Sequence, residues 1–438
     1  MRLSSLFTSQ AAVSSALIAT TFFTSSAKAQ DRTTEQGEAQ ITDPGQECAQ
    51  YSYPPVAAAL AANEFPPIWT VATILSSDTN AQAKYQSIQS QIPNIQPKGT
   101  QPASLTGDFS NFTYPSSDPD CWWTYDQCTT PKLAGLPPDL AVVPEPDTLG
   151  YGFDDGPNCS HNVFYDFLSQ NNQKATMFYI GSNVMDWPLE AQRAVADSHE
   201  ICVHTWSHRY MTSLTNEEVF AEFYYTMQGI KLVTGVTPTC WRPPSGDVDD
   251  RVRAIAHALG LRTIIWKYDS NDWRVGINNI TAANVDQNYE DLISRAQNGT
   301  YATAGTIMLT HELNNFTMSE AVKFYAQLKA AFKYIVPMGV ATNQTQPYVE
   351  TNYSLPSFEQ YISGTTTISG GGPLPTGGSS GSTGSGSSSG TSSGTSSSGT
   401  SSGGTKSSTG AASRASFDGL GMLAAGAAFV GFAVKLLA

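Results

Sequence analysis

The chain has 438 residues, 40% of them hydrophobic and 11% aromatic, enough for one large or two ordinary domains with a sizeable core. Its formal net charge of −14, from 37 acidic against 23 basic residues, excludes an electrostatic grip on nucleic acid or acidic lipid and points to a neutral or cationic partner.

At the N-terminus Met1-Arg2 precedes a weakly apolar stretch, "AAVSSALIATTFF", and then "SSAKAQ", where Ala27 and Ala29 form the small-x-small pattern of a signal-peptidase site. Residues 1–29 are therefore expected to be a signal peptide, and the mature chain to be secreted. Residues 30–137 are rich in Gln, Pro and Ala with weak periodicity, apart from the helix-like "VAAALAANEF" and the Trp122-Trp123 stretch, and read as an N-terminal extension wrapped on a domain. Secretion favours disulfides for Cys48, Cys121, Cys128, Cys159, Cys202 and Cys240. Cys121 and Cys128 are close enough for a local bridge, Cys48 is a candidate partner of Cys240, and Cys202, inside the apolar "HEICVHT", is expected to be buried and free. Sequons at Asn111, Asn158, Asn279, Asn298, Asn315, Asn343 and Asn352 fit the same compartment. A glycan on Asn158 would block the neighbouring acidic pair.

Over residues 138–350 short apolar runs alternate with amphipathic ones. "TLGYGF", "ATMFYIG", "EICVHT", "TCWRPP", "RTIIWKY", "TIMLTHE" and "VAT" read as strands, several without alternation, as buried parallel strands are. "SHNVFYDFLSQNN", "NEEVFAEFYYTMQGIKLVTG", "VDDRVRAIAHALG", "AANVDQNYEDLISRAQNG" and "SEAVKFYAQLKAAFKYI" read as helices between them. The alternation implies a parallel α/β domain, either a barrel or a doubly wound sheet, and in both the loops after the strands build the site. Asp154 and Asp155 follow the first run, His204 and His208 the third, Arg242 the fourth, Asp269 and Asp272 the fifth and His311 the sixth, so they converge on one mouth.

Beyond the domain, residues 365–410 are almost only Gly, Ser and Thr, a composition that buries no core and is expected to form a disordered stalk. Residues 411–438 end in "FDGLGMLAAGAAFVGFAVKLLA", apolar to the last residue, and the small residues of "STGAAS" before it match a GPI-attachment signal with a site between Ser408 and Ala412. An ordinary tail-anchored helix is the alternative.

The chemistry follows from the polar outliers. His204 and His208 are four apart, a spacing that on one helical turn puts both imidazoles on one face, able to grip a divalent ion. Two imidazoles and one carboxylate make an open metal site with positions for water and substrate. Adjacent carboxylates repel each other unless a cation offsets them, so one of Asp154 and Asp155 should ligate and the other can act as a base. Arg242, in the proline-stiffened "WRPPSGD", is placed to orient the carboxylate that does not bind metal, and His311 is a candidate general acid if Asp272 orients its ring. Metal-activated water with a base and an acid specifies hydrolysis of an amide or ester. Within residues 138–350 no G-x-S-x-G occurs, no serine nucleophile is needed, and no nucleotide cofactor is expected.

In order along the chain, "GFDDGP" (152–157), "HTWSH" (204–208), "RPPS" (242–245), "DSNDW" (269–273) and "LTH" (309–311) resemble the five motifs of the polysaccharide deacetylases, the NodB-homology or fourth carbohydrate-esterase family, and most nearly those of fungal chitin deacetylases. The resemblance covers about residues 140–345. It implies a distorted (β/α) barrel, a divalent metal, usually zinc with cobalt as a substitute, and removal of N-acetyl groups from chitin or chitin oligosaccharides. It further implies that Asp154 is the base, that Asp155, His204 and His208 are the metal ligands and that His311 is the acid. Arg242 would tether Asp154, Asp272 would orient His311, and Trp273 with Leu309 would line the acetyl-methyl pocket. Gly152 replaces the family's usual Thr, and Ser245 stands where a tyrosine is common, leaving its backbone N–H for the oxyanion but removing a wall of the sugar groove. The anchor signal makes the cell's own wall the expected location of the substrate. An O-acetyl xylan esterase, a deacetylase of short oligomers and a non-catalytic wall glycoprotein are the competing readings.

Overall fold

The computed structural model describes residues 31–100, 105–365 and 368–370; the expected signal peptide, most of the Ser/Gly stalk and the attachment tail lie outside the described residues. The strands of the domain are β1 (Thr148–Gly150), β2 (Gly152–Gly156), β3 (Thr176–Tyr179), β4 (Glu200–Val203), β5 (Cys240–Trp241), β6 (Arg262–Thr263), β7 (Tyr268–Asp269), β8 (Thr306–Leu309) and β9 (Tyr334–Val336), followed by a short antiparallel pair, Tyr353–Ser354 with Ser369–Gly370. Strands β1 to β9 form two all-parallel sheets, ordered β7-β8-β1-β9 and β2-β3-β4-β5-β6.

The sheets are two arcs of one distorted (β/α) barrel. β1 and β2 form a single bent strand, with Tyr151 bonded to Val336 O through its N–H and to Thr176 N–H through its carbonyl. On the opposite side residues 262–269 pass from β6 to β7, tied by Ile265 N–H to Leu140 O and by Lys267 N–H to Ile307 O. A bridge between Asp154 and His311 continues β2 beside the end of β8. Closure of the sheet removes the doubly wound alternative. The runs read as strands from their unbroken apolar character are buried throughout β1, β2, β3, β4 and β8, as parallel strands under helices must be.

Helices Asn162–Gln170, Asn216–Thr234, Asp250–Ala258, Ala282–Gln297 and Asn315–Ala331 lie where amphipathic spacing places them. Their ends follow local chemistry: Thr215 and Glu218 form a reciprocal capping box, and Gly235 at φ +81° ends the same helix in the left-handed region. Two expectations fail at the C-terminal end of the barrel. The last helix stops at Ala331 instead of running to Ile335, and "VAT" falls in the helix Met338–Ala341 and its end, the real strand being Tyr334–Val336. Tyr334 and Ile335 keep helical apolar spacing, but pairing of Thr148 with Tyr334 and Leu149 with Ile335 draws them into β9.

The segment before the barrel packs into it: Tyr53, Val56, Ala72, Ala81 and Ile88 belong to the same buried apolar cluster as the strands. Buried Lys98 bonds Asp120 at 2.8 Å and Asp249 at 2.5 Å, and Trp122 Nε1 donates to Asp247. The six cysteines pair as Cys48–Cys159, Cys121–Cys128 and Cys202–Cys240. Only the local bridge matches expectation. Cys202 is bonded, not free, because adjacent β4 and β5 bring its Cα within 4.9 Å of that of Cys240, which leaves Cys48 to staple the extension to the loop after β2. Among the described residues no helix is long and apolar enough to cross a membrane.

Candidate metal centre and active site

All the loops that matter leave the C-terminal ends of the strands. β2 ends in Asp154 and Asp155, and the chain after β4 carries His204 and His208. These histidines are not on a helical turn: residues 204–210 are a loop, with Thr205 at φ +65° and His208 at φ +54°. Asp155 (φ +72°), Ser245 (φ +53°) and Asn271 (φ +54°) are also left-handed. Non-glycine residues there cost about 1–3 kcal/mol each, so this mouth holds backbone strain that the surrounding packing must overcome.

Asp155, His204 and His208 bring one ligand atom each within 4.8 Å of one another. Asp155 Oδ1 lies 3.3 Å from His204 Nε2 and 3.2 Å from His208 Nε2, yet it is buried without a hydrogen-bond partner. His204 Nδ1 stands 2.8 Å from the carbonyl of Arg242, an acceptor only, so Nδ1 carries the proton and Nε2 presents a lone pair to the carboxylate. Lone pairs aimed at one point repel unless a cation lies there. Donors bound to one ion at about 2.0–2.2 Å in tetrahedral directions stand about 3.3–3.6 Å apart, close to the separations found. The residues fit a divalent metal.

Asp154 is turned the other way. Its Oδ1 accepts a 2.7 Å bond from Arg242 Nη1, and its Oδ2 is 3.7 Å from His204 Nε2. Arg242 is fully buried, with its guanidinium carbon 3.9 Å from the centre of the Phe178 ring. Burial lowers its pKa and Asp154 partly restores it. On the far side His311 Nδ1 meets Asp272 Oδ1 at 2.5 Å, and the His311 backbone N–H donates to Asp272 Oδ2. Burial opposes a charged His311, but Asp272, then Asp155 and Asp154, outweigh it and push its pKa up to about 10. Asp269 is raised to about 6, chiefly by burial.

Leu309 is buried one residue before Thr310 and His311, while Trp273 follows Asp272, donates its N–H to that carboxylate and is 39% exposed. Both flank His311. Ser245, on the loop after Arg242, is exposed, and its side chain meets Tyr210. Asn158, whose sequon lies beside the pair, donates Nδ2–H to Leu313 O.

Two contributors carry no sequence pattern. Asn183, on the helix Gly181–Asp186, donates to the Asp155 carbonyl at 2.7 Å. Glu312 is fully buried; its carboxylate accepts from Asn158 N–H, His161 Nδ1–H and the Tyr165 hydroxyl, each at 2.9 Å, and its own N–H donates to Asp154 O. The only hint in the sequence is an acidic residue directly after "LTH".

A family model described as polysaccharide deacetylase matches residues 142–264. The chain is 55% identical over 342 residues to chitin deacetylase 2 of Cryptococcus neoformans var. grubii, covering 77% of this chain and 74% of that protein. It is 47% identical over 314 residues to the chitin deacetylase of Amylomyces rouxii, covering 70% of this chain and 73% of the other. The solved chitin deacetylase of Colletotrichum lindemuthianum superposes with a TM-score of 0.43 at 21% identity, over 48% of this chain and 92% of that one. Identity of this degree across most of a relative's length shows that the chain belongs to the polysaccharide deacetylase family and is an enzyme of it.

Proposed function

We propose that the protein is a metal-dependent chitin deacetylase, hydrolysing the N-acetyl groups of an N-acetylglucosamine polymer to leave chitosan and acetate. The observation that carries this reading is the division of labour in the site: three donors converge on one point, with an arginine-tethered carboxylate on one side and a carboxylate-bound histidine on the other. The names of the relatives, 55% and 47% identical, support chitin as the substrate.

Asp155, His204 and His208 would hold the ion, for which zinc is the natural choice with two imidazoles and one carboxylate. When bound it supplies a Lewis acid that lowers the pKa of water and polarises the acetyl carbonyl. Arg242 fixes the rotamer of Asp154, which takes a proton from the attacking water. His311, protonated and held at Nδ1 by Asp272, gives its proton from Nε2 to the amide nitrogen as the C–N bond breaks. Leu309 and the edge of Trp273 enclose the methyl group, and the backbone N–H of Ser245 faces the developing oxyanion. The hydroxyl ends on the acetyl carbon and the proton on the amine, so acetate and a glucosamine unit leave.

The leader and tail signals, the sequons and the pairing of all six cysteines support secretion, glycosylation and a GPI anchor at the plasma membrane or cell wall, where the enzyme would remodel the wall.

Acetate release from chitin oligomers, colloidal chitin and acetylated xylan, by chelated and zinc-restored enzyme, tests the reading together with two substitutions. Asp155→Asn should lose metal and activity together. Asp154→Asn should keep its metal and lose turnover by roughly 10²- to 10⁴-fold. Equal metal loss in both would show that both carboxylates ligate, and full activity after chelation would sink the metal mechanism.

A further inference from the structure

The segment Phe65–Ala72 of the N-terminal extension is fastened to the loop that carries His204 and His208. Phe65 stacks on Trp206 with ring centroids 5.8 Å apart, and Trp206 Nε1 donates to Pro67 O. Arg209, next to His208, donates Nη2–H to Trp69 O at 3.0 Å. The buried carboxylate of Glu222 accepts both Ala72 N–H and the Ser207 hydroxyl on the same oxygen, at 2.8 and 2.6 Å.

The helix Gly181–Asp186 joins this segment to Asp155 as well. Ser182, Asn183 and Asp186 are spaced to share one helical face. Asn183 holds the Asp155 carbonyl, Ser182 Oγ accepts Trp69 N–H at 2.8 Å, and Asp186 accepts Trp69 Nε1–H at 2.9 Å. Trp69 is thus bonded, through its carbonyl, its amide and its indole edge, to residues one step from the metal ligands. It is nevertheless 37% exposed, and its backbone is held at φ +61°, a conformation a bulky side chain avoids. Strain, fixed orientation and exposure of a large aromatic, on a segment fastened to the loop of His204 and His208, are the features of a binding platform rather than of a core residue.

Resting on the chitin deacetylase reading, we propose that Trp69 forms a sugar-binding subsite supplied by the N-terminal extension, its indole stacking against the pyranose ring of a unit next to the one being deacetylated. A β-linked N-acetylglucosamine ring carries its C–H bonds axially, giving two apolar faces that suit an aromatic surface. Trp69 lies outside the five motifs and outside residues 142–264, so the extension, and not the barrel alone, would set the preference for chain length.

The test uses zinc-loaded protein and fully acetylated chitin oligomers from dimer to hexamer. Trp69→Ala should lower kcat/KM on the hexamer by about tenfold, mostly through KM, and on the dimer by less than about twofold, while Trp69→Phe recovers most of the loss. Metal content and melting temperature should stay at the wild-type values. An equal proportional loss on dimer and hexamer, or loss of zinc along with the rate, would show that Trp69 only buttresses His208 and would overturn the proposal. If the wild-type protein releases no acetate from any oligomer, the deacetylase reading fails on its own. A fluorescence titration with the acetylated hexamer then decides the subsite: quenching in the wild type that is absent in Trp69→Phe supports it, and equal quenching in both rejects it.

Discussion

His311 is held charged against its own burial. Buried imidazole disfavours charge, yet the carboxylate of Asp272 at 2.5 Å and the negative charge of Asp155 and Asp154 raise its pKa to about 10. A cation on Asp155 would cancel part of this, but the share owed to Asp272 stays, since that carboxylate faces the ring directly. His311 therefore remains an acid throughout neutral pH, which is what protonation of a departing amine requires. The folded pKa lies above the ordinary histidine value of 6.5, so the associated stability is complete below that value and is lost as pH rises through about 10. Asp272→Asn keeps a hydrogen-bond partner but removes the charge, and should move the alkaline limb of kcat down toward the ordinary histidine range with a loss of about fourfold at pH 7 that grows about tenfold per pH unit above it. A pH–rate profile of the mutant whose alkaline limb coincides with that of the wild type would remove Asp272 from this role.

Two elements meet at Glu312: the end of β8 and the turn that follows β2. The Glu312 carboxylate takes three donors from residues 158, 161 and 165, and a Cβ on Gly156 would come within 2.6 Å of its Cδ, so the turn after the paired aspartates is packed directly on it. Its role is positioning, acting through Asp154 and Asp155. Glu312→Ala should leave three donors without their acceptor and let the turn drift, and an ångström of misplacement can cost on the order of 10²-fold in turnover. The expected signature is a fall in kcat at nearly constant KM, partly rescued in Glu312→Gln, which retains one acceptor oxygen; equal loss in both variants together with a collapsed melting temperature would make Glu312 merely structural. Why some of this was legible in the sequence and some was not follows from the same geometry. Asp154, Asp155, His204, His208, Arg242, Asp272 and His311 each follow an unbroken apolar run, and parallel strands deliver such residues to one mouth. Asn183, Glu312 and Trp69 instead depend on partners from other elements, joined by hydrogen bonds that leave no period. The four-residue spacing of His204 and His208 suggested a helical turn, but left-handed Thr205 and His208 achieve the convergence in a loop. The disulfides were unreadable for a related reason, since register between β4 and β5, not sequence distance, pairs Cys202 with Cys240.

At the scale of the molecule the extension and the barrel share one apolar core, and their junction contains buried carboxylates. Glu38, Glu47 and Glu190 are all nearly inaccessible, and Asn162 on the barrel donates its backbone N–H to Glu47 and its side-chain amide to Glu38. Tyr51 donates its hydroxyl to Glu190, and the Cys48–Cys159 bridge crosses the same junction. Burial raises the pKa of each of these carboxyls, that of Glu47 to about 6. A carboxyl that binds its proton more tightly when folded stabilises the fold fully below its unfolded value of 4.5, and that stability is lost as pH rises through about 6. Docking of the extension, and with it the placement of Trp69 and the metal loop, should therefore be firmest in acid. Glu47→Gln preserves the acceptor for Asn162 N–H and removes the ionisation, so it should flatten this part of the stability curve and gain about 2 kcal/mol above pH 6 relative to the wild type. Scanning calorimetry from pH 4 to 8 checks it: parallel curves for the two proteins would mean that Glu47 already titrates in the folded state as it does in the unfolded chain, and that the junction is held by its disulfide and apolar contacts alone.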